Sequence, residues 1–175
     1  GMQIGLINVS DTSSGYSIGL INIVFKGYHK LSLYTNELVN LNMAVKSGNS
    51  NLYSIFLGGY NSVPDQKVWT FGYGLGSEFV SKKHFAVNMD VTSQQLYLGS
   101  WDFYNLQNKA SLQFSYKFGR YFSIFAGPAY TVYVSNQDVH FAGYKELVPP
   151  PGYKTHKFGD KVTGWLGWSA GVNIF

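Results

Sequence analysis

Residues 67–80 read Lys67-Val68-Trp69-Thr70-Phe71-Gly72-Tyr73-Gly74-Leu75-Gly76-Ser77-Glu78-Phe79-Val80 and split into two unlike faces. One face carries Trp69, Phe71, Tyr73, Leu75 and Phe79; the other carries Thr70, Gly72, Gly74, Gly76 and Glu78. A period of two is the signature of a β-strand. Here the apolar face is bulky and aromatic, and the polar face is small and Gly-rich. That distribution suits a sheet whose outside meets lipid and whose inside is narrow and wet.

The pattern spreads outward from this stretch. In residues 84–94, Phe85, Val87, Met89 and Val91 alternate with Asn88, Asp90, Thr92 and Gln94. In residues 109–118, Leu112, Phe114, Tyr116 and Phe118 alternate with Lys109, Ser111, Gln113, Ser115 and Lys117. Strands are expected at about 3–10, 16–25, 29–36, 38–47, 51–60, 67–80, 84–96, 108–118, 121–135 and 163–175. Tight turns are expected at Lys26-Gly27, Gly48-Asn49-Ser50, Ser81-Lys82-Lys83 and Gly119-Arg120, with long connections at 61–66, 97–108 and 136–162. Short and long connections alternate over the last six strands, as in outer-membrane barrels. At Thr35-Asn36-Glu37 the parity runs unbroken from Leu31 and Leu33 to Val39, Leu41, Met43 and Val45. A turn there gives ten strands. A continuous strand there, with the first repeat outside the barrel, gives eight. Pro128 lies inside a strand and cannot donate to a ladder, so a bulge or an interruption is expected at that point.

Composition agrees. Charged residues make up 13% of the 175 residues and aromatics 18%. A soluble domain usually carries ~25% charged residues, so much of this surface is expected not to face water. The net charge of +4 is spread out and does not form a nucleic-acid footprint. With no cysteine, disulfide and thiolate–metal frameworks are excluded. No apolar run approaches the ~18 residues of a transmembrane helix. Lipid therefore requires a closed barrel, the only sheet that satisfies all its backbone groups there. No signal peptide is visible, so a mature chain or a fragment is expected.

The amino end repeats. Gly1-Met2-Gln3-Ile4-Gly5-Leu6-Ile7-Asn8 returns as Gly15-Tyr16-Ser17-Ile18-Gly19-Leu20-Ile21-Asn22, an offset of 14 residues (15 − 1). The chain starts at a repeat boundary, so a larger parent with more copies upstream is expected, unless Gly1 is a cloning remnant that happens to fit. Two copies are too few for a free-standing solenoid, so they are expected to feed strands into the domain carboxy-terminal to them. The chain divides into 1–26, repeat strands leading into the barrel, and 27–175, the barrel.

Gly-x-x-Ile-Gly-Leu-Ile-Asn, followed by Lys26-Gly27-Tyr28-x-Lys30-Leu31, resembles the surface-repeat proteins of Bacteroidota, in which such repeats precede a carboxy-terminal outer-membrane barrel. Trp69 to Gly76, Ser123-Ile124-Phe125-Ala126-Gly127-Pro128 and the terminal Gly171-Val172-Asn173-Ile174-Phe175 extend the resemblance over nearly the whole chain. It implies an outer-membrane location and brings no catalytic residues. Barrels of this class usually end in Phe on the apolar face. Here Leu166, Trp168, Ala170, Val172 and Ile174 form that face, and Phe175 takes the other parity. Phe175 is therefore expected either to leave the ladder or to carry its assembly signal differently.

Gly72-x-Gly74-x-Gly76 is not a phosphate loop, because the glycines alternate within a strand and no helix start follows. Glu78, Asp90, Lys109 and Lys117 share the polar parity and are expected to form a lumen network that plugs the barrel. His29, His84, His140 and His156 lack metal-ligand spacing. No nucleophile motif accompanies His140 or His156, so no enzyme and no cofactor are expected. Tyr97, Trp101, Phe103 and Tyr104 fit an aromatic girdle. The segment 136–162 holds Pro149-Pro150-Pro151-Gly152, adds no strand, and is expected outside the cell. Its Tyr144, Tyr153, His156 and Lys157 are expected to form a partner-facing surface.

The expected fold is all-β, a closed antiparallel up-and-down transmembrane β-barrel of eight to ten strands in the outer membrane of a Gram-negative bacterium. The expected role is a non-enzymatic scaffold or partner-binding subunit. Its contacts are outer-membrane lipid and another outer-membrane or surface protein, with no nucleic acid. A narrow or gated pore is the alternative. A lipid-modifying barrel enzyme and a soluble ligand-binding barrel rank below it.

Overall fold

The computed structural model describes residues 27–175 in full. Before them it describes only the strand positions within 3–24. The strands are β1 Gln3–Ile4, β2 Ile7–Ser10, β3 Ser17–Ile18, β4 Ile21–Val24, β5 Tyr28–Asn36, β6 Leu41–Asn49, β7 Leu52–Asn61, β8 Val68–Ser81, β9 Phe85–Tyr97, β10 Asn105–Phe118, β11 Phe122–Ser135, β12 Thr155–Gly159 and β13 Val162–Ile174. The described residues contain no helix.

Eight strands close a barrel. Antiparallel neighbours run β5-β6-β7-β8-β9-β10-β11-β13, and β13 returns to β5. β5 covers only the Ser169–Ile174 half of β13. The other half, from Val162 to Trp165, pairs on that side with β12. The connection 136–162 therefore does add a strand, contrary to the sequence reading. Its hairpin continues the wall where β5 stops.

The count of eight is reached by a different route from the one the periodicity suggested. The chain does turn after Asn36, whose Oδ1 accepts from the Leu38 and Val39 amides at 2.9 and 2.8 Å, a local Asx turn. The turn spans four residues, 37–40. An even number of turn residues leaves odd positions outward on both flanking strands, so the parity cannot show it. Leu38 and Val39 leave the strand pattern and are buried at 2% and 1% exposure.

The repeat does not enter the barrel sheet. β1 pairs with β3 and β2 with β4, both parallel, in two small sheets of their own. The expected turn at Lys26-Gly27 and the glycines at 1, 5, 15 and 19 lie wholly or partly outside the described residues.

Pro128 interrupts one ladder without shifting it. Pairing between β10 and β11 stops at Ser111↔Ala129 and resumes at Phe114↔Ala126 in the same register. On its other side Pro128 stays in line with Trp168. Gly127 is required there, because a Cβ would run into the Leu112 carbonyl.

The faces largely follow the alternation; Val87 has the outward parity but is buried, beside the register shift at Glu78/Val80. Leu41, Met43, Phe71, Phe79, Val91, Phe114 and Leu166 point outward and are exposed. Lys30, Asn42, Lys46, Glu78, Asn88, Asp90, Gln94, Lys109 and Gln113 point inward and are buried. The contrast is large: Phe71 is 54% exposed and Asp90 is 3% exposed. A water-soluble barrel has the opposite distribution.

Candidate functional site: a filled lumen under a covered mouth

The turns at 50–51, 82–84 and 119–121 lie at one end of the barrel; the long connections and the 37–40 turn lie at the other. At the short-turn end, β8 supplies Glu78 to the lumen. Lys30 Nζ lies 2.6 Å from Glu78 Oε2, Tyr28 donates to the same oxygen at 3.0 Å, and Lys117 Nζ stands 3.5 Å from Oε1. Lys30 also faces the Tyr28 and Phe175 rings at 4.4 and 4.6 Å, a cation–π arrangement. Phe175 is thus beyond the strand, which ends at Ile174, and its amide donates to the Tyr121 carbonyl.

The network continues inward. Asn88 Nδ2 donates to the Tyr28 and Tyr53 hydroxyls at 3.0 and 3.1 Å, and Tyr53 donates to Asp90 Oδ1 at 2.6 Å. Lys46 donates to Asp90 Oδ2 at 2.6 Å and to Gln113 Oε1 at 3.2 Å. The Tyr28 and Tyr53 rings stack at 4.7 Å. Gly76 makes this possible: a Cβ there would strike both the Tyr53 ring and the Asp90 carboxylate. Gly76 is therefore a space for lumen side chains, while at Gly72 and Gly74 a Cβ would run into the adjacent β9 backbone; the three glycines do not form an anion loop.

Nearer the mouth, Glu37 turns into the barrel from the 37–40 turn. Its carboxylate lies 3.3 Å from Lys109 Nζ, accepts from Trp165 Nε1 at 3.2 Å, and accepts from the Trp168 amide at 3.2 Å. The lumen thus brings together all four residues expected from parity, but largely through other partners. Among Glu78, Asp90, Lys109 and Lys117, only Glu78 and Lys117 form a mutual pair. Lys30, Lys46 and Glu37 complete the set. Lys30 and Lys46 were legible, since each alternates with outward residues such as Leu31 and Val45. Glu37 was not, because it belongs to the turn that parity hides.

Lumen packing leaves almost no space. The cavity bounded by Tyr34, Lys46, Asp90, Lys109, Gln113 and Phe125 measures about 20 Å³, enough for about one water. Above it, Leu38, Val39, Val68, Leu96, Leu98, Tyr133 and Trp165 form an apolar cluster across the mouth, with Val148 and Tyr153 of the long connection packed on it.

The long connection is docked on the barrel. The Lys67 amide donates to the Gly143 carbonyl, and the Lys145 amide donates to the Lys67 carbonyl. Tyr144 meets the Tyr97 ring edge-on at 5.5 Å. Tyr153 accepts from Trp168 Nε1 at 3.0 Å. Two of the four expected partner-facing residues are therefore engaged with the barrel itself. His156 and Lys157 stand exposed on β12, beside Phe158. Lys145 is buried and donates to Gln66 Oε1 at 3.1 Å; burial lowers its ammonium pKa. It lines a polar pocket of about 210 Å³ with Tyr133, His140, Glu146, Asp160 and Lys161.

Outside, aromatic side chains gather at both ends of the wall. Tyr60 and Trp69 meet at 4.2 Å, and Trp101 contacts Tyr97 and Phe71 at 4.6 and 5.8 Å near the long connections. Tyr116, Phe118 and Phe122 form a chain of ring contacts at the short turns. Compared with family models, curated proteins and solved structures, the chain matches none, so the barrel, its filled lumen and its covered mouth speak through their own chemistry.

Proposed function

We propose that this chain is an outer-membrane β-barrel of a Gram-negative bacterium, related to the Bacteroidota surface-repeat proteins it resembles. In this reading it is a non-enzymatic membrane scaffold that presents its long-connection end to a partner outside the cell. The observation that carries the reading is the inversion of faces: an exposed apolar outer wall around a buried, ion-paired lumen. In water such a wall would be an aggregation surface far larger than the few hundred Å² usual for monomers. In lipid it is the stable arrangement, and the lumen charges avoid hydrocarbon.

The dimensions support it. Trp69 and Phe79 are ten residues apart on β8, about 33 Å along the strand at ~3.3 Å per residue. A tilt of ~45° reduces this to a height of about 23 Å, close to the ~25 Å apolar band of outer-membrane barrels. Aromatic groups flank that band at both ends, where interfacial girdles belong. The short turns then face the periplasm and the long connections face outward. His156, Lys157 and Phe158 on β12, with Trp101, offer the exposed aromatic and cationic contacts that interfaces favour.

The filled lumen supports the scaffold reading over the pore. A planar-bilayer recording should show no steady open-channel conductance, because salt-bridged side chains and the apolar mouth cluster occupy the path. A stable, large conductance would replace the scaffold reading with the pore.

A further inference from the structure

The repeat in the sequence and the pairing in the structure have the same period. Gln3 pairs with Ser17, Ile4 with Ile18, Ile7 with Ile21, Asn8 with Asn22, Val9 with Ile23 and Ser10 with Val24. Every pair is 14 residues apart, the offset between the two copies. Each copy therefore contributes one two-residue and one four-residue strand, and the next copy adds a parallel strand to each. Parallel strands need a long connection between them. The 14-residue spacing leaves room for one, as in repeat proteins built from stacked rungs.

We propose that each 14-residue unit is one rung of a parallel β-stack, and that the free edges of β1 and β2 accept a further unit of the same pattern at the same register. The two edges of the stack are not equivalent. β4, in the second unit, lies beside β6 and β7 of the barrel. Among the described residues, β1 and β2 have no strand on their other side. Their backbone groups form a template for strand addition.

The shape of that template selects its occupant. β1 and β2 lie in separate sheets, divided by residues 5–6. A straight strand can extend one sheet only. A unit with the same two-and-four spacing extends both at once. Energetics point the same way, since two-stranded pieces of this size are marginal alone and repeat stacks need about three units to become stable. A new rung adds one interface to the stack. This inference does not depend on the membrane reading.

Two experiments on the full chain test it. First, the amino end is extended by one additional copy of residues 1–14, or by a scrambled sequence of the same composition, and amide exchange is monitored by mass spectrometry. The repeat extension should slow exchange in Ile7–Ser10 by about tenfold and be protected itself, while the scrambled one changes nothing. Unchanged exchange with both extensions overturns the proposal. So does protection of the unextended chain that rises with protein concentration, which assigns the edge to a second chain. Second, the chain has no native cysteine, so double variants report register cleanly. Asn8→Cys with Asn22→Cys should oxidise readily, because paired Cα atoms are ~5 Å apart, within disulfide reach. Asn8→Cys with Val24→Cys, displaced by two residues to ~8 Å, should not. Equal cross-linking of both pairs overturns the 14-residue register.

Discussion

Gly76 lies under the Tyr53 ring and beside the Asp90 carboxylate, and no larger residue fits there. Gly76→Ala should cost about 1–3 kcal/mol through overpacking, because Tyr53 must move and loosen its 2.6 Å bond to Asp90. Gly58 meets only the Thr70 carbonyl, at 3.4 Å, so Gly58→Ala should stay within about 0.5 kcal/mol. Denaturant titration of the two variants checks the difference; equal stability would remove the lumen-space account of these glycines. A second test addresses the two faces of β10. Leu112→Arg and Phe114→Arg put a cation on the outer wall, at about 2–4 kcal/mol where the hydrocarbon is thickest. Gln113→Glu should be tolerated, because Lys46 Nζ already lies 3.2 Å from the side-chain oxygen. Arg at 113 would instead bring a second cation to Lys46. Refolding yield in lipid vesicles should therefore fall for the two Arg variants and hold for Gln113→Glu. At this scale parity was a good guide: it placed Glu78, Asp90, Lys109 and Lys117 in the lumen. It could not name their partners, since pairing depends on strand stagger, which a single strand's alternation does not contain.

The elements that escaped the sequence are those whose period carries no signal. The turn at 37–40 has an even length and leaves the alternation intact, so parity alone left open whether β5 and β6 are two strands or one. β12 is five residues with every one exposed. It lacks an apolar face, and only its place beside β13, beyond the end of β5, makes it a strand. The Pro-rich connection around it reads as loose but is docked through Val148, Tyr153 and Lys145. Deletion of residues 142–157 therefore removes more than a loop. It takes part of β12, uncovers the apolar cluster at Leu98, Tyr133 and Trp165, and frees Trp168 Nε1 from Tyr153. The eight barrel strands and their closure are untouched. The shortened chain should still fold as a barrel, with a lower midpoint in thermal unfolding and increased protease cutting near residues 98–104. An unchanged midpoint would mean that the connection adds nothing to the mouth. Failure to fold would mean that β12 is needed to close the wall.

At the scale of the whole molecule, the barrel class was legible because one fact recurs in strand after strand: the large side chains share one parity and the small or charged ones share the other. Strand number was less legible, because the repeat looked like barrel strands, whereas its described strands pair with each other. In the proposed membrane state the apolar wall meets acyl chains while the lumen does not. The four tryptophans give a direct reading of it. Trp168 faces outward and is 41% exposed, whereas Trp165, three residues away on the same strand, is fully buried inside. Single-tryptophan chains carrying only Trp168 or only Trp165 can be refolded into vesicles with brominated acyl chains, which quench fluorescence on contact. Strong quenching of Trp168 with Trp165 spared is the predicted result. A chain that is monodisperse in plain buffer, ignores the vesicles and shows no difference between the two tryptophans would contradict it.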